Sequence, residues 1–236
     1  MRTRVALPAQ LRLTRLAHFT PADEITLAYA MSQARIVRAR RELQSDGRPI
    51  TEPQLIVDGW AARIRLMPDG RRQIMSFLLP GDLIGLCHQP APVAISTVIA
   101  LTEITVCTPP SPCESPTFAE AYATSEALDE AYLLAHITRL GQMAARERIL
   151  DLLLELDERL ELAGLSQHGR FRVPLTQELL GDTLGLTSVH INRMLQQARQ
   201  MGDLTWKGDR VELHDRPALM AAVGRVRPRV RADMQI

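Results

Sequence analysis

A segment near the C-terminus, SVHINRMLQQARQ (residues 188–200), carries side chains that can read the edges of base pairs. Arg can bond guanine bidentately in the major groove, and Asn can do the same with adenine. Its apolar residues recur at helical spacing, so we expect a helix with Ile191, Met194 and Leu195 facing inward. The candidate base-reading residues on or near the solvent face are Arg193, Asn192, His190 and Ser188. This pattern indicates recognition of a DNA duplex.

The preceding residues, PLTQELLGDTLGLTS, have the spacing needed to present such a helix. Thr176 can cap a first helix and Thr187 can cap the second, since both side chains accept backbone hydrogen bonds. Gly181 is small where two helices must cross closely. Gly185 suits a tight turn, because glycine adopts a left-handed backbone without steric cost. Buried positions, crossing residue, turn and caps together predict a helix-turn-helix.

A hairpin follows the second helix in the segment DLTWKGDRVEL, with its turn at Lys207-Gly208-Asp209. A hairpin at this place is typical of the wing of a winged helix-turn-helix. Helix starts and basic tips are natural phosphate contacts. The candidate phosphate contacts are Thr176, Gln177, Thr187 and Lys207. The alternative is an ordinary helical hairpin with a solvated face, which leaves the order helix, turn, helix and wing to coincidence.

The N-terminal half shows a different pattern. A short helix is predicted over residues 21–31. From about residue 35 to 106, short segments rich in β-branched residues alternate with turns such as Asp58-Gly59, Asp69-Gly70 and Pro80-Gly81-Asp82. Turns about every 11 residues predict a compact antiparallel roll. The fold class is therefore α+β, with an antiparallel β-roll followed by helices and the winged helix-turn-helix.

A long helix is predicted between these parts, with two apolar stripes that imply burial on two sides. One stripe contains Ala127, Ala131, Leu134, Thr138, Gly141 and Ala145, and the other contains Leu133, Ile137, Leu140 and Ala144. The small residues favour a homodimer, and a helix enclosed within a monomer is the alternative. RERILDLLLELDERLEL then predicts an amphipathic second helix that stops near Gly164. The expected domains are residues 1–116, 117–145 and 146–236.

This order of elements resembles the Crp/Fnr family of bacterial transcription regulators over nearly the whole chain. The similarity is strongest in LTQELLGDTLGLTSVHINRMLQQARQMG, and LLPGDLIGL looks like the P-G-D turn of the family's cyclic-nucleotide-binding-like roll. The resemblance implies a homodimer whose recognition helices enter successive major grooves of a near-palindromic site. Arg193 matches the family's base-reading Arg. Val189 stands where the family's cyclic AMP receptor and oxygen sensor carry Glu, so the half-site should differ from theirs.

The effector residues of those relatives are missing. Cyclic nucleotide binding in the family uses a Glu and an Arg soon after the P-G-D turn, whereas this chain has no Arg or Lys from Gln73 to Thr138. An iron–sulfur cluster needs about four thiolates, and the N-terminal region has no cysteine. Cys87, Cys107 and Cys113 are read as buried strand thiols, with redox switches as the alternative. Haem ligation by His18, His88 or His136 is a weaker alternative, and no cofactor is predicted.

Charge and composition agree with a nucleic-acid partner at the C-terminal end. Residues 170–236 contain 11 basic and 7 acidic residues, a local balance of +4. The tail RVRPRVR (Arg225 to Arg231) either contacts flanking phosphate or is a frayed end. No apolar run approaches a membrane span and no signal peptide is recognised, so a cytoplasmic protein is expected.

The predicted function is a sequence-specific DNA-binding regulator with RNA polymerase as a further partner. One alternative is a sensor whose DNA binding requires haem, a redox change or a small molecule in the roll. Another is a scaffolding module whose winged helix contacts protein. An enzyme is not predicted, because no His-x-His pair, G-x-S-x-G elbow or phosphate-cradling glycine loop occurs.

Overall fold

The computed structural model describes residues 6–87 and 89–232. The chain divides into two compact units. The first contains the described residues up to Arg65 together with Phe77–Ala127, and the second contains Leu66–Ser76 together with the described residues from Leu128 onward. In the described part of the chain, no helix combines the length and the apolar character needed to cross a membrane.

The N-terminal region begins with two helices, α1 (Pro8–Leu16) and α2 (Pro21–Ser32). Thr20 caps α2, where its Oγ1 accepts a hydrogen bond from the backbone N–H of Asp23 at 3.2 Å. Eight short strands follow: β1 (Arg35–Val37), β2 (Glu42–Gln44), β3 (Gln54–Asp58), β4 (Ala61–Leu66), β5 (Arg72–Leu78), β6 (Leu83–Ile84), β7 (Thr97–Ala100) and β8 (Ile104–Cys107). Helix α2 matches the predicted helix, whereas α1 was not predicted.

The eight strands form two four-stranded sheets, with strand orders β1-β8-β3-β6 and β2-β7-β4-β5. Pairing is antiparallel, as in Ile56 opposite Val106 and Ala62 opposite Ile99. Side chains from both sheets meet in one apolar core, since alternate strand residues point to the same face. That core contains Ile56, Ala61, Leu78, Ile84, Val98, Ala100, Ile104 and Val106. The predicted antiparallel roll is confirmed.

The P-G-D turn of the roll is held by a cation from α1. Arg12 donates to the carbonyl oxygen of Gly81 at 2.5 Å and lies 2.8 Å from Oδ1 of Asp82. The other oxygen of Asp82 accepts the backbone N–H of Leu79 at 2.7 Å. Both charged side chains are almost fully buried, so each needs the other. This contact joins residues 69 positions apart and leaves no local sequence signal.

Two long helices come next, α3 (Pro116–Gln142) and α4 (Ala145–Leu162). The prediction that α4 is amphipathic is wrong, because charged side chains on it are buried along with its leucines. The buried charged residues of α4 are Asp151, Glu155, Asp157, Glu158 and Arg159. Buried charges persist where they are paired and hydrogen-bonded, and α4 receives arginines from α3 and from the C-terminal tail, as described below.

The C-terminal region contains the winged helix. Its elements are β9 (Ser166–Gln167), β10 (Arg170–Arg172), α5 (Gln177–Leu184), α6 (Ser188–Gln200), β11 (Leu204–Lys207), β12 (Arg210–Leu213) and α7 (Arg216–Val223). The predicted two-stranded wing is present as β11 and β12. It belongs to a four-stranded sheet of order β11-β12-β10-β9, and β9 and β10 were not predicted. A sheet of four strands gives the wing a firmer base than an isolated hairpin has.

Candidate nucleic-acid interface

Helices α5 and α6 are joined by the tight turn that the sequence predicts. Thr176 caps α5 by accepting the backbone N–H of Leu179 at 3.2 Å, and α5 ends at Gly185 with a φ of 66°. Thr187 caps α6 by accepting the backbone N–H of His190 at 3.2 Å. A Cβ added to Gly181 would lie 2.5 Å from the carbonyl oxygen of Leu186. Only glycine therefore allows this close helix crossing without a backbone shift.

Helix α6 has one buried and one solvent-facing side. Ile191, Leu195 and Ala198 are buried, while Met194, which was expected to face inward, is only half-buried. Ser188 and Arg193 are exposed, and His190 and Asn192 are half-buried. All four predicted base-reading side chains therefore lie along the first half of one helix. Within residues 6–87 and 89–232, the side chain of Arg193 makes no hydrogen bond or ion pair, so its guanidinium is available to a ligand.

Two hydrogen bonds around α6 were not predicted. Gln177 Nε2 donates to Asn192 Oδ1 at 3.4 Å, which links the start of α5 to the exposed side of α6. Arg199 Nη2 donates to the carbonyl oxygen of Trp206 at 3.3 Å and links α6 to the wing. Both donors are exposed polar residues whose partners depend on how α5, α6 and the wing pack together. Residue type alone therefore gave no signal for these bonds.

The wing places its only lysine at the tip. Lys207 is the last residue of β11, pairs in register with Arg210 and is exposed. The turn residue Gly208 has a φ of 60°, a left-handed conformation that favours glycine. Trp206 Nε1 donates to the carbonyl oxygen of Gly208 at 2.9 Å, so this indole packs on the wing. The tip thus presents a cation on the same domain as α6.

The hairpin between β4 and β5 contacts the flank of α5. Arg72 Nε donates to Asp182 Oδ2 at 2.8 Å, and Gln73 Nε2 donates to the carbonyl oxygen of Thr183 at 3.1 Å. Both side chains of the ion pair are about one quarter exposed. The pair offsets the charge of an acid on α5, which otherwise adds repulsion toward a polyanion.

The cysteines and histidines give mixed outcomes for the other predicted sites. Cys107 is buried, and burial raises the pKa of its thiol to about 11, so little thiolate forms near neutral pH. Cys87 and Cys113 are exposed and lie outside the strands, so the prediction of buried strand thiols is wrong for both. His18 is exposed, His136 is buried, and His88 lies outside the described residues. Among the described residues, no group of three or more His, Cys, Asp or Glu could hold a metal ion.

The first part of the basic tail binds the protein's own acids. It is therefore neither a phosphate contact nor a frayed end, the two alternatives that the sequence left open. Arg225 bonds both carboxylate oxygens of Glu158, at 3.0 and 2.7 Å, and Oδ1 of Asp151 at 3.0 Å. Arg227 Nη2 donates to Glu161 Oε2 at 3.0 Å. The side chain of Arg225 is only 3% exposed, and therefore cannot reach phosphate. Arg229 remains exposed.

Comparison with known proteins agrees with this geometry. Residues 147–222 match the Crp-like helix-turn-helix domain. The nitrogen fixation regulation protein FixK of Azorhizobium caulinodans is 27% identical over 222 residues, which cover 88% of each chain. The transcriptional activator protein FnrL of Cereibacter sphaeroides is 29% identical over 165 residues, covering 66% of this chain and 65% of that protein.

Solved structures show the same architecture beyond the helix-turn-helix. FixK2 from Bradyrhizobium japonicum superposes with a TM-score of 0.69 at 28% identity, covering 80% of this chain and 96% of that one. TTHB099 from Thermus thermophilus, a transcriptional regulator of the CRP family, gives a TM-score of 0.65 at 21% identity, with coverage of 82% and 98%. At 21% identity the second comparison shows the fold alone.

A roll, a long helix and a winged helix with an exposed polar recognition face define a DNA-binding transcription regulator. Its helix-turn-helix domain is Crp-like, and its relatives and structural neighbours support a bacterial transcription regulator of the Crp/Fnr family. This family consists of regulators rather than enzymes, and its members bind DNA and act as dimers. The comparisons do not favour the alternative that DNA binding requires a ligand in the roll.

Proposed function

We propose that the chain acts as a homodimer that reads a near-palindromic operator, with one α6 helix in the major groove of each half-site. The observation that carries this proposal is Arg193, exposed on the solvent face of a capped recognition helix, with no side-chain partner among the described residues. Recognition helices of this kind reach base edges with their N-terminal residues. A regulator of chromosomal DNA works in the cytoplasm.

Four side chains would read bases. Arg193 can donate two hydrogen bonds to O6 and N7 of guanine. Asn192 keeps its amide NH₂ free to donate to a base, because Gln177 bonds the oxygen of the same amide. Ser188 and His190 lie in the first turn of α6, where they can reach neighbouring base pairs. Sequence would thus be read mainly by donors, which suits purine N7 and O6 acceptors.

Four further residues would contact phosphate and set the register of the helix. Thr176 and Gln177 lie at the N-terminus of α5, and Thr187 caps α6, so the positive ends of two helix dipoles lie beside them. Lys207 extends from the wing tip. Such contacts contribute affinity that falls as salt rises, because bound counterions are released from the duplex. They carry no sequence information themselves.

A second copy would pack along α3. Leu134 and Ile137 are 59% and 66% exposed, although large aliphatic side chains are favoured in cores. Thr138 and Gly141 lie on the same face of the helix at spacings of three and four residues and are also exposed. Covering this face in a symmetric dimer would bury the two aliphatic side chains and pair two recognition helices. The bound dimer would then recruit or exclude RNA polymerase.

The test is a selection of genomic fragments with purified protein and no added ligand, followed by footprinting. We expect a symmetric site with half-sites about one helical turn apart. Weak, sequence-blind binding would contradict the proposal of a ligand-independent reader. Increasing salt should weaken binding steeply, which separates a DNA reader from a module whose winged helix contacts protein.

Replacement of Arg193 with Ala is expected to cost about 1–3 kcal/mol of binding free energy at one guanine in each half-site and to relax specificity there. The measurement compares affinities of wild type and variant for the operator, for single-base variants and for random duplex. Arg229→Ala, which removes an exposed arginine outside the helix-turn-helix, is the matched control. Equal loss on operator and random duplex would instead make Arg193 a phosphate contact.

A further inference from the structure

We propose that Val189 reads the C5-methyl group of a thymine in each half-site. This inference rests on the proposed placement of α6 in the major groove. It assigns a specificity role to an apolar side chain on a surface that otherwise presents hydrogen-bonding groups.

Val189 is 82% exposed, although it is aliphatic and belongs to a helix with a buried apolar side. It is the second residue of α6, in the turn that enters the groove first. Arg193 follows four residues later, so the two side chains are neighbours on one helix face. Ile191, between them in sequence, is fully buried. Val189 and Arg193 therefore face the same ligand surface.

The chemistry of valine leaves one base as its partner in the major groove. The side chain has no donor or acceptor, so it cannot bond the N7, O6, O4 or amino groups of base pairs. The thymine methyl is the apolar group that the major groove displays. The first turn of α6 contains no acidic residue, so no carboxylate there accepts a hydrogen bond from cytosine N4. Contact with a methyl group removes both apolar surfaces from water.

The spacing of the two residues predicts where this thymine lies. Four residues span about 6 Å along a helix axis, and successive base pairs are about 3.4 Å apart. The methyl contact should therefore lie within about two base-pair steps of the guanine that Arg193 reads. A half-site containing both a guanine and a nearby thymine is the ligand that this surface fits.

The experiment replaces each thymine of the selected operator, one position at a time in both half-sites, with deoxyuridine. This change removes the methyl group and keeps base pairing. Wild-type protein should bind about three- to fivefold more weakly for each contacted methyl removed. Val189→Ala should bind thymine and uracil equally at that position, whereas Arg193→Ala should still distinguish them. Affinity is read by fluorescence anisotropy at fixed salt.

Val226→Ala is the matched control, because Val226 is also 82% exposed but lies in the tail beyond α7. It should keep the wild-type thymine-to-uracil ratio at every position. If Val189→Ala also keeps that ratio everywhere while Arg193→Ala loses its guanine, the thymine contact is overturned and the proposed function stands. If no sequence-selective duplex is recovered, the proposed function fails and this inference fails with it.

Discussion

Replacement of Arg225 with Ala is expected to lower the free energy of unfolding by about 3–5 kcal/mol, because it leaves buried carboxylates without their cation. The side chains of Arg225, Glu158 and Asp151 are only 2–3% exposed. Burial alone would lower the pKa of Arg225, but hydrogen bonding and charge from Glu158, with help from Glu155 and Asp151, raise it. The guanidinium therefore stays charged, and its removal is costly.

One of the acids that Arg225 binds, Asp151, also binds the long helix α3. Arg139 of α3 donates through Nε to Asp151 Oδ2 at 2.8 Å and through Nη2 to Glu155 Oε2 at 2.5 Å. Asp151 thus bridges two arginines, one on α3 and one in the tail. Burial raises the pKa of Glu155, and Arg139, Arg159 and Arg225 outweigh this effect to lower it. Loss of Arg225 should therefore weaken the packing of α4 as well as the tail.

Urea unfolding at one fixed protein concentration measures this loss, since a dimer's apparent stability depends on concentration. Arg229→Ala, which removes an exposed arginine of the same tail, should stay within about 0.5 kcal/mol of wild type. The double variant Arg225→Met, Glu158→Met should recover much of the loss, because apolar replacement removes both charges of the pair. Equal stability of Arg225→Ala and wild type would show that the tail is not bound to α4 in solution.

The winged helix could be predicted from sequence because its signals are local. Thr176 and Thr187 cap helices within three residues, and Gly185 needs its left-handed backbone whatever surrounds it. The same holds for the turns of the roll at Asp58-Gly59 and Asp69-Gly70, where a glycine with positive φ follows aspartate. Local steric rules and short hydrogen bonds are properties of residue type and spacing.

The charged interior could not be predicted in this way. Arg12 bonds Gly81 and Arg225 bonds Asp151 across 69 and 74 positions, so the partners are identified only once the chain has folded. From the sequence, the acids of α4 were interpreted as the polar face of an amphipathic helix. A buried carboxylate and a solvated one cannot be told apart by residue type. The tail was likewise interpreted as a DNA-binding or frayed segment, because residue type does not show whether an arginine is buried. Sequence shows where charges are, and packing decides which of them are paired.

His136 is expected to make the protein acid-sensitive above the range in which carboxylates titrate. Burial, followed by the positive charge of Arg139, lowers its pKa from 6.5 to about 4, although Glu155 and Asp151 act in the opposite direction. Arg139 Nη1 lies 3.2 Å from Nδ1 of the imidazole. Arginine can only donate, so Nδ1 must accept and the ring is held neutral. A proton on Nδ1 would place the imidazole N–H and the Arg139 N–H, both donors, opposite each other.

The sign of the effect follows from the lowered pKa. Between pH 6.5 and 4 the unfolded chain binds a proton at this histidine and the folded chain does not, so stability falls as pH falls through that window. The loss should reach roughly 2 kcal/mol between pH 7 and pH 5, and about 3 kcal/mol near pH 4. Well above pH 6.5 His136 is neutral in both states, so it should contribute no pH dependence to stability there.

Urea unfolding from pH 7 to pH 5 tests this expectation in a range that lies above the ordinary pKa values of carboxylates. His136→Gln should flatten the pH dependence, because the amide oxygen can accept from Arg139 but does not titrate in this range. His18→Gln, at an exposed histidine, should keep the wild-type slope. If His136→Gln lost stability between pH 7 and 5 as steeply as wild type, another group would be responsible for the acid sensitivity. A flat wild-type profile would mean that the imidazole accepts its proton within the folded protein, with the ion pairs around Arg139 rearranging to allow it.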